Sequence, residues 1–279
     1  MNIPTPSTDS PLITFIGGGN MASAIIGGLL RQGHPPERLQ VVEPWDEQRT
    51  RLTQAFPGVA LHAAAGSALQ PSDMVIWAVK PQTFREAALA SAAHMQGALH
   101  LSVAAGITTD SMASWLGTGR IVRAMPNTPA LVGLGMTGLF ARDDAGDEDR
   151  ALVEQVVRTT GELAWVPVEQ DLDAVTALSG SGPAYVFYFL EAMRDAGENM
   201  GLSPELALQL ATGTFIGAAT LAQRSDDPPQ ILRERVTSKG GTTFAAITTL
   251  QAAQVKESFE MALEAARRRA EELGREYGG

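Results

Sequence analysis

Apolar positions fall into two regimes along the chain. Up to residue 168, short apolar runs alternate with stretches at helical spacing. The runs at 12–16, 39–43, 59–62, 74–79, 98–103, 120–125, 135–140 and 162–168 predict strands. Between them, Ala22, Ile25, Ile26 and Leu29 predict a first helix, and further helices are expected at 84–95, 109–116 and 150–160. Such alternation predicts a parallel sheet covered by helices on both faces, with ligands at the carboxyl ends of its strands. From Gln170 onward strand signals stop and helical periods run to the end. One long helix is expected over 171–199, kinked or split at Gly180-Ser181-Gly182-Pro183 because proline removes a backbone donor. Ser203-Pro204 and Asp227-Pro228 mark two further helix starts, and 244–250 and 255–277 complete the set. The expected organisation is a loose polar tail over 1–11, an α/β domain over 12–168 and an all-α domain over 169–279.

The junction after the first strand carries chemistry. Gly17, Gly18 and Gly19 stop the strand, and Asn20 and Met21 lead into the helix. Strand, glycine turn and helix in this order form a Rossmann-type dinucleotide fingerprint, with Ala22 in place of its third glycine. Missing Cβ atoms let a pyrophosphate approach the backbone, and the helix start supplies unpaired N–H groups. A plain glycine turn is the competing reading. Glu43 ends the second strand about two dozen residues later, where a carboxylate takes the ribose 2′-OH of NAD and repels the 2′-phosphate of NADP. Arg49 and Arg51 follow and could reach such a phosphate, so the choice between NADH and NADPH stays open at this point. Two more strand ends converge on the same edge. Ala78, Val79, Lys80 and Pro81 form one; Val103, Ala104 and Ala105 form the other, with small residues that let a flat nicotinamide ring lie against backbone. The stiff Met125-Pro126-Asn127-Thr128-Pro129 segment reads as a rigid turn or as a wall of that site.

Composition narrows the function classes. The 279 residues carry a formal charge of −10, which argues against a polyanion as the main partner. There is no cysteine, so thiol catalysis, disulfides and cysteine metal sites are excluded, and a cytoplasmic location fits. No metal site is expected. The most apolar stretch, 206–222, is interrupted by Gln209, Thr212, Gly213, Thr214, Gly217 and Thr220 and reads as a packed bundle helix rather than a membrane span. Apolar faces on nearly every helix of the second domain predict a homodimer through this region.

A second anion cradle is expected at Ser238-Lys239-Gly240-Gly241-Thr242-Thr243, just before a helix. Two glycines there expose backbone N–H groups, and Ser238, Thr242 and Thr243 add hydroxyls. A carboxylate held against the nicotinamide face fits it; a glycine-rich interhelical turn is the bland alternative.

The stretches FIGGGNMA at 15–22, AVKP at 78–81, VRAMPNTPALV at 122–132, LSGSGPAYVF at 178–187 and VTSKGGTTFAAITTLQ at 236–251 together resemble the Δ1-pyrroline-5-carboxylate reductase family over almost the whole chain. The resemblance implies a Rossmann domain followed by an all-helical dimerisation domain, with interlocked dimers that in some members build a decamer. It implies reduction of the cyclic imine Δ1-pyrroline-5-carboxylate to proline by NADPH or NADH, with no metal, nucleic acid or membrane involved. Backbone amides at Gly240, Gly241 and Thr242, helped by Ser238, would hold the substrate carboxylate. Thr243 would hydrogen-bond the ring nitrogen, which makes it the candidate catalytic residue. Ile16 to Met21, Ala78 to Pro81 and Val103 to Ala105 would hold the cofactor.

This chain departs from the family where many members have an Asn near Ala65, a small hydroxyl residue at Glu43 and a Pro at Lys239. Glu43 leans the cofactor toward NADH. An iminium accepts hydride readily, so position and orientation outweigh acid strength. That fits four histidines lying outside all five stretches. The alternatives are a β-hydroxyacid dehydrogenase or imine reductase, disfavoured because residues 171–199 contain no lysine, and a non-catalytic nucleotide sensor.

Overall fold

The computed structural model describes residues 10–278. Its sheet is built from β1 (Ile13–Ile16), β2 (Leu39–Val42), β3 (Ala60–His62), β4 (Met74–Trp77), β5 (Leu99–Ser102), β6 (Ile121–Met125), β7 (Gly135–Ala141) and β8 (Gly161–Trp165), in the order β3-β2-β1-β4-β5-β6-β7-β8. The strand order reverses in the connection from β3 to β4, which places β1 between β2 and β4, as in a doubly wound dinucleotide-binding sheet. β1, β2, β4 and β5 are buried at every position, which explains why their sequences are mainly apolar, with Thr14, Gln40, His100 and Ser102 as buried polar exceptions.

The helices α1 (Asn20–Arg31), α2 (Asp46–Ala55), α3 (Pro81–Ser91), α4 (Thr109–Leu116) and α5 (Asp147–Val157) cover the two faces. Two apolar clusters result. One joins Phe15, Ile26, Ile76, Leu101, Val122 and Val153, and the other joins Trp77, Phe84, Met112 and Ile121.

One expectation is corrected. The sheet is not all parallel: β7 runs antiparallel to β6. The link from Met125 to Gly135 holds only a short 3-10 turn, Thr128–Val132, and a parallel return needs a crossover of a dozen residues or more. The stretch 171–199 is split where expected: α6 (Asp171–Val175) and α7 (Gly182–Asn199) are separated by a π-turn at Thr176–Gly180. The Ser181 N–H reaches back five residues to the Thr176 carbonyl at 2.8 Å. Pro183 has no N–H with which to continue an α-helical ladder through this point.

α8 (Pro204–Gln223), α9 (Pro229–Arg235), α10 (Thr242–Ala252) and α11 (Val255–Tyr277) complete the chain. The molecule divides into two compact units, one running to Ser181 and resuming at Ala266, the other Gly182–Ala265. By its contacts the sheet unit takes in the segment after β8 as far as Ser181. Glu169 accepts from the Thr109 N–H at 2.8 Å and from Arg123 Nη1 at 3.1 Å, which ties the segment after β8 to the sheet. Within the helical unit, α7 packs on α8 through Gly197, whose absent Cβ would lie 2.7 Å from that of Ala207. Phe259 meets Tyr185 and Phe189 edge-on at centroid distances of 5.6 and 5.9 Å. Little else is buried there. Phe187, Tyr188, Leu210, Ile216, Leu221, Phe244 and Leu250 are exposed, and α10 has no buried residue. α8 is the one helix among the described residues long and apolar enough to cross a membrane. The tail expected over 1–11 lies, up to residue 9, outside the described residues; from Ser10 the chain is held, its carbonyl accepting from Arg38 Nε at 2.8 Å.

Candidate active site

Three loops leave the carboxyl edge of the sheet side by side. Gly17 N–H donates to the Val42 carbonyl at 2.9 Å, Ala78 N–H to Ile16 at 2.8 Å, and Val103 N–H to Trp77 at 3.0 Å. Each loop thus starts by capping the last carbonyl of the neighbouring strand. Ile16 to Met21, Ala78 to Pro81 and Val103 to Ala105 are brought together by these bonds. The glycine loop turns at Gly17, with φ +93°, and a Cβ there would stand 2.7 Å from the Ala78 carbonyl oxygen. A Cβ on Gly18 would strike Leu52 of α2 at 2.5 Å.

Around a Cβ on Gly19 there is open space to 4 Å. Gly19 is the N-cap of α1, supplies no side-chain cap, and is followed by no acidic residue in the first turn. The N–H groups of that turn have no helical acceptor. Backbone donors and open space therefore meet where a pyrophosphate needs both, so the residues present fit a dinucleotide. Ala22 is fully buried, and the close helix contact falls instead on Gly28, whose Cβ would lie 2.6 Å from Thr159 Oγ1.

Glu43 stands directly after β2 with 9% exposure. One carboxylate oxygen accepts from Gly18 N–H at 2.9 Å and the other from Trp45 N–H at 3.0 Å. Gln48 Nε2 donates to the Gly18 carbonyl at 2.6 Å, so two side chains grip both backbone groups of the same glycine. Arg49 is also engaged, donating to the Glu43 carbonyl at 2.7 Å and to Asp46 at 3.0 Å, and Arg51 pairs with Glu47. Sequence reasoning missed the bracing role of Gln48. A glutamine on an exposed helix face gives no signal for it. It also missed Trp45, whose 73% exposure is unusual for so large a ring beside the loop.

Lys80 is exposed and N-caps α3 without a side-chain cap bond. The proline-flanked segment after β6 is fixed by Asn127. Its amide nitrogen donates to the Ser179 carbonyl at 3.1 Å, and its amide oxygen accepts from Met136 N–H at 2.9 Å. His100 is buried in β5, accepts from Trp77 Nε1 at 3.0 Å, and is pushed down to about 4 by burial. Among the described residues no group of acidic or histidine side chains could hold a metal. A surface hollow lined by Arg142, Arg150 and Glu169 shares no residue with these loops.

In the helical unit, Gly241 is the N-cap of α10 and Gly240 adopts φ +77°. Gly241 N–H closes a tight turn on the Ser238 carbonyl at 3.0 Å, and a Cβ on Gly241 would lie 2.7 Å from Ser238 Oγ. Thr242 and Thr243 occupy the first turn, so the helix starts two residues earlier than its apolar pattern predicts. Their N–H groups have no helical acceptor. Ser238, Gly240, Gly241, Thr242 and Thr243 therefore form a second cluster of backbone and hydroxyl donors.

A glycine cradle after the first strand of a doubly wound sheet, beside the point where the strand order reverses and followed by a helical unit, defines a nicotinamide-dinucleotide oxidoreductase. Two family models match: NADP oxidoreductase, coenzyme F420-dependent, over residues 12–106, and pyrroline-5-carboxylate reductase dimerisation over residues 169–273. A pyrroline-5-carboxylate reductase of Pseudomonas aeruginosa is 42% identical over 271 residues, spanning 96% of this chain and 99% of its own. The structure of a Coxiella burnetii pyrroline-5-carboxylate reductase matches with TM-score 0.88 and 38% identity over 95% of this chain and 99% of that one. That of Plasmodium falciparum pyrroline carboxylate reductase, with NADP bound, matches with TM-score 0.82 and 27% identity over 95% and 99%. The chain belongs to the pyrroline-5-carboxylate reductase family.

Proposed function

We propose that this protein reduces Δ1-pyrroline-5-carboxylate to proline with a reduced nicotinamide dinucleotide. The observation that carries the reading is the pair of donor clusters, one at the Gly17–Gly19 loop and one at Ser238 to Thr243, in a chain of this family. Residues Ile16 to Met21, Glu43, Ala78 to Pro81 and Val103 to Ala105 would hold the cofactor. The reduced nicotinamide supplies the hydride when bound. Ser238 and the N–H groups at Gly240 and Thr242 bind the substrate carboxylate, joined by that of Gly241 where it exchanges its turn bond to the Ser238 carbonyl for the substrate, and Thr243 orients the ring nitrogen through its hydroxyl. One hydride to the imine carbon and one proton from water to the nitrogen balance the reaction. Orientation is the protein's main contribution, since the protonated imine is already a good hydride acceptor.

The finer reading is a preference for NADH. Glu43 places a carboxylate at the ribose end, and Arg49, the cation nearest to hand, is held by the Glu43 carbonyl and Asp46. A 2′-phosphate would meet negative charge without a free guanidinium to balance it. The helical region from 169 onward is read as the substrate and dimerisation region. Its uncovered apolar side chains and apolar α10 support a homodimer, because exposed patches of this kind mark contact surfaces. The same argument reads α8 as an interface helix.

The test is consumption of NADH, and separately of NADPH, on addition of pyrroline-5-carboxylate to the purified protein, with proline measured as product. No consumption with either cofactor would refute the reading. Turnover of a 3-hydroxy acid instead would favour the dehydrogenase alternative.

A further inference from the structure

α11 is a single helix of 23 residues, about 34 Å at 1.5 Å per residue, and from Ala266 its residues belong to the sheet unit. Its C-terminal end meets residues that flank the cofactor loops at three points. Gly106, which ends the Val103–Ala105 loop with φ +74°, faces the α11 backbone: a Cβ there would stand 3.2 Å from the Leu273 carbonyl carbon and oxygen. Gln82, in the first turn of α3 just past Ala78 to Pro81, donates from Nε2 to the Tyr277 hydroxyl at 3.1 Å. Ser111, in the first turn of α4, donates to the Gly278 carbonyl. The Tyr277 ring packs against the cluster that contains Trp77, Phe84 and Met112.

Each contact falls within six residues of a loop read above as cofactor-holding. Strand pairing fixes where β4 and β5 end, but nothing in the ladder fixes how far the starts of α3 and α4 splay beyond it. The end of α11 touches both. At Gly106 the contact is with backbone, which cannot swing aside as a side chain can, and the positive φ independently disfavours any other residue.

We propose that the C-terminal turn of α11, with Tyr277 as its central side chain, is a positioning element for the dinucleotide site. It holds the Ala78–Pro81 and Val103–Ala105 loops at the separation the cofactor requires. Tyr277 does not touch the reacting atoms; it acts through Gln82 and the α3 and α4 starts. This inference rests on the cofactor role assigned above to those loops.

The experiment is titration of NADH into the full-length protein, followed by the fluorescence of bound NADH, with Tyr277→Ala, Tyr277→Leu and Tyr277→Phe compared with wild type. Thermal melts are run on the same samples. For Tyr277→Ala we expect the NADH Kd and the NADH KM to rise together by about tenfold, with kcat at saturating NADH and the KM for pyrroline-5-carboxylate within about twofold. Tyr277→Phe, which keeps the ring and loses only the Gln82 bond, should recover to within about threefold of wild type. Should Tyr277→Ala not fold, Tyr277→Leu decides the matter by the same Kd. A folded variant lacking the ring that binds NADH with the wild-type Kd overturns the proposal, as does a loss of binding that merely tracks the unfolded fraction. Wild-type protein that binds no NADH would instead overturn the cofactor reading itself.

Discussion

The Asn127 side-chain amide donates to the Ser179 carbonyl at 3.1 Å, the acceptor that an N–H at position 183 would take in an unbroken α-helix. Proline at 183 removes that donor, and an asparagine more than fifty residues earlier replaces it. The second Asn127 bond, from Met136 N–H to the amide oxygen, fixes which way the amide faces. Asn127→Asp keeps the acceptor for Met136 but sets a carboxylate against the Ser179 carbonyl. We expect a loss of about 1–3 kcal/mol, the range for leaving a half-buried polar group unsatisfied. Urea unfolding checks it, and Asn127→Ala should fall in the same range.

Glu43 braces the glycine loop through Gly18 and Trp45, and in the proposed site it also presents negative charge to the cofactor ribose. Glu43→Ser should shift the ratio of kcat/KM for NADH over NADPH toward NADPH by about tenfold, roughly 1.4 kcal/mol of differential binding. KM for NADH should also rise, because Gly18 N–H loses its acceptor. Steady-state kinetics with both cofactors measure the two effects. An unchanged ratio would mean that the carboxylate serves the loop alone.

The order of most strands and helices up to β6 was legible because they carry their own period: four buried β-branched or aromatic positions in β1, then Ala22, Ile25, Ile26 and Leu29 along α1; α2, which buries only Leu52, carries none. The direction of β7 was not. Its sequence reads the same in either orientation, and only the length of the Met125–Gly135 link distinguishes them. The break before Pro183 was anticipated, but not the π-turn, which depends on Ser181 finding Thr176. Contacts with no local signature stayed hidden: Gln48 on Gly18, Asn127 on Ser179, and Tyr277 on Gln82, the last pair separated by 195 positions. The glycine loop and the Ser238–Thr243 loop were visible because glycine before a helix start has a local physical reason to be there.

Thr243 lies in the first turn of α10. In the proposed site its hydroxyl orients the ring nitrogen while the backbone donors hold the carboxylate. Thr243→Ala should lower kcat by more than about tenfold, at least about 1.4 kcal/mol of barrier, and leave the NADH Kd unchanged. Thr243→Ser should retain most of the activity. Unchanged turnover in the alanine variant would remove Thr243 from the mechanism.

The helical unit leaves Ile216 63% and Leu250 47% exposed in a single chain. A second copy that covers them would make either position sensitive to charge. Sedimentation of the wild type at micromolar concentration should show a dimer or a multiple of it. Leu250→Arg should weaken association by about a hundredfold or more, the loss expected at the centre of an apolar interface. A monomeric wild type would contradict the dimer.

His100 makes acid sensitivity a local matter. Its Nδ1 accepts from Trp77 Nε1 within the core, so the neutral ring is the one that fits, and a proton on Nδ1 would set two donors face to face. Burial lowers its pKa from 6.5 to about 4. The folded state therefore binds fewer protons than the unfolded state between those values. Stability from this group is complete above pH 6.5 and is lost as pH falls toward 4, by up to about 3 kcal/mol. His100→Asn keeps an acceptor for Trp77 but cannot titrate. His34, also lowered by burial, and all carboxylates remain in both proteins and cancel in the comparison. Urea midpoints between pH 7 and pH 4 should fall more steeply for wild type than for His100→Asn. Parallel curves would mean that His100 carries the same proton affinity folded and unfolded, and that the Trp77 contact does not hold it neutral.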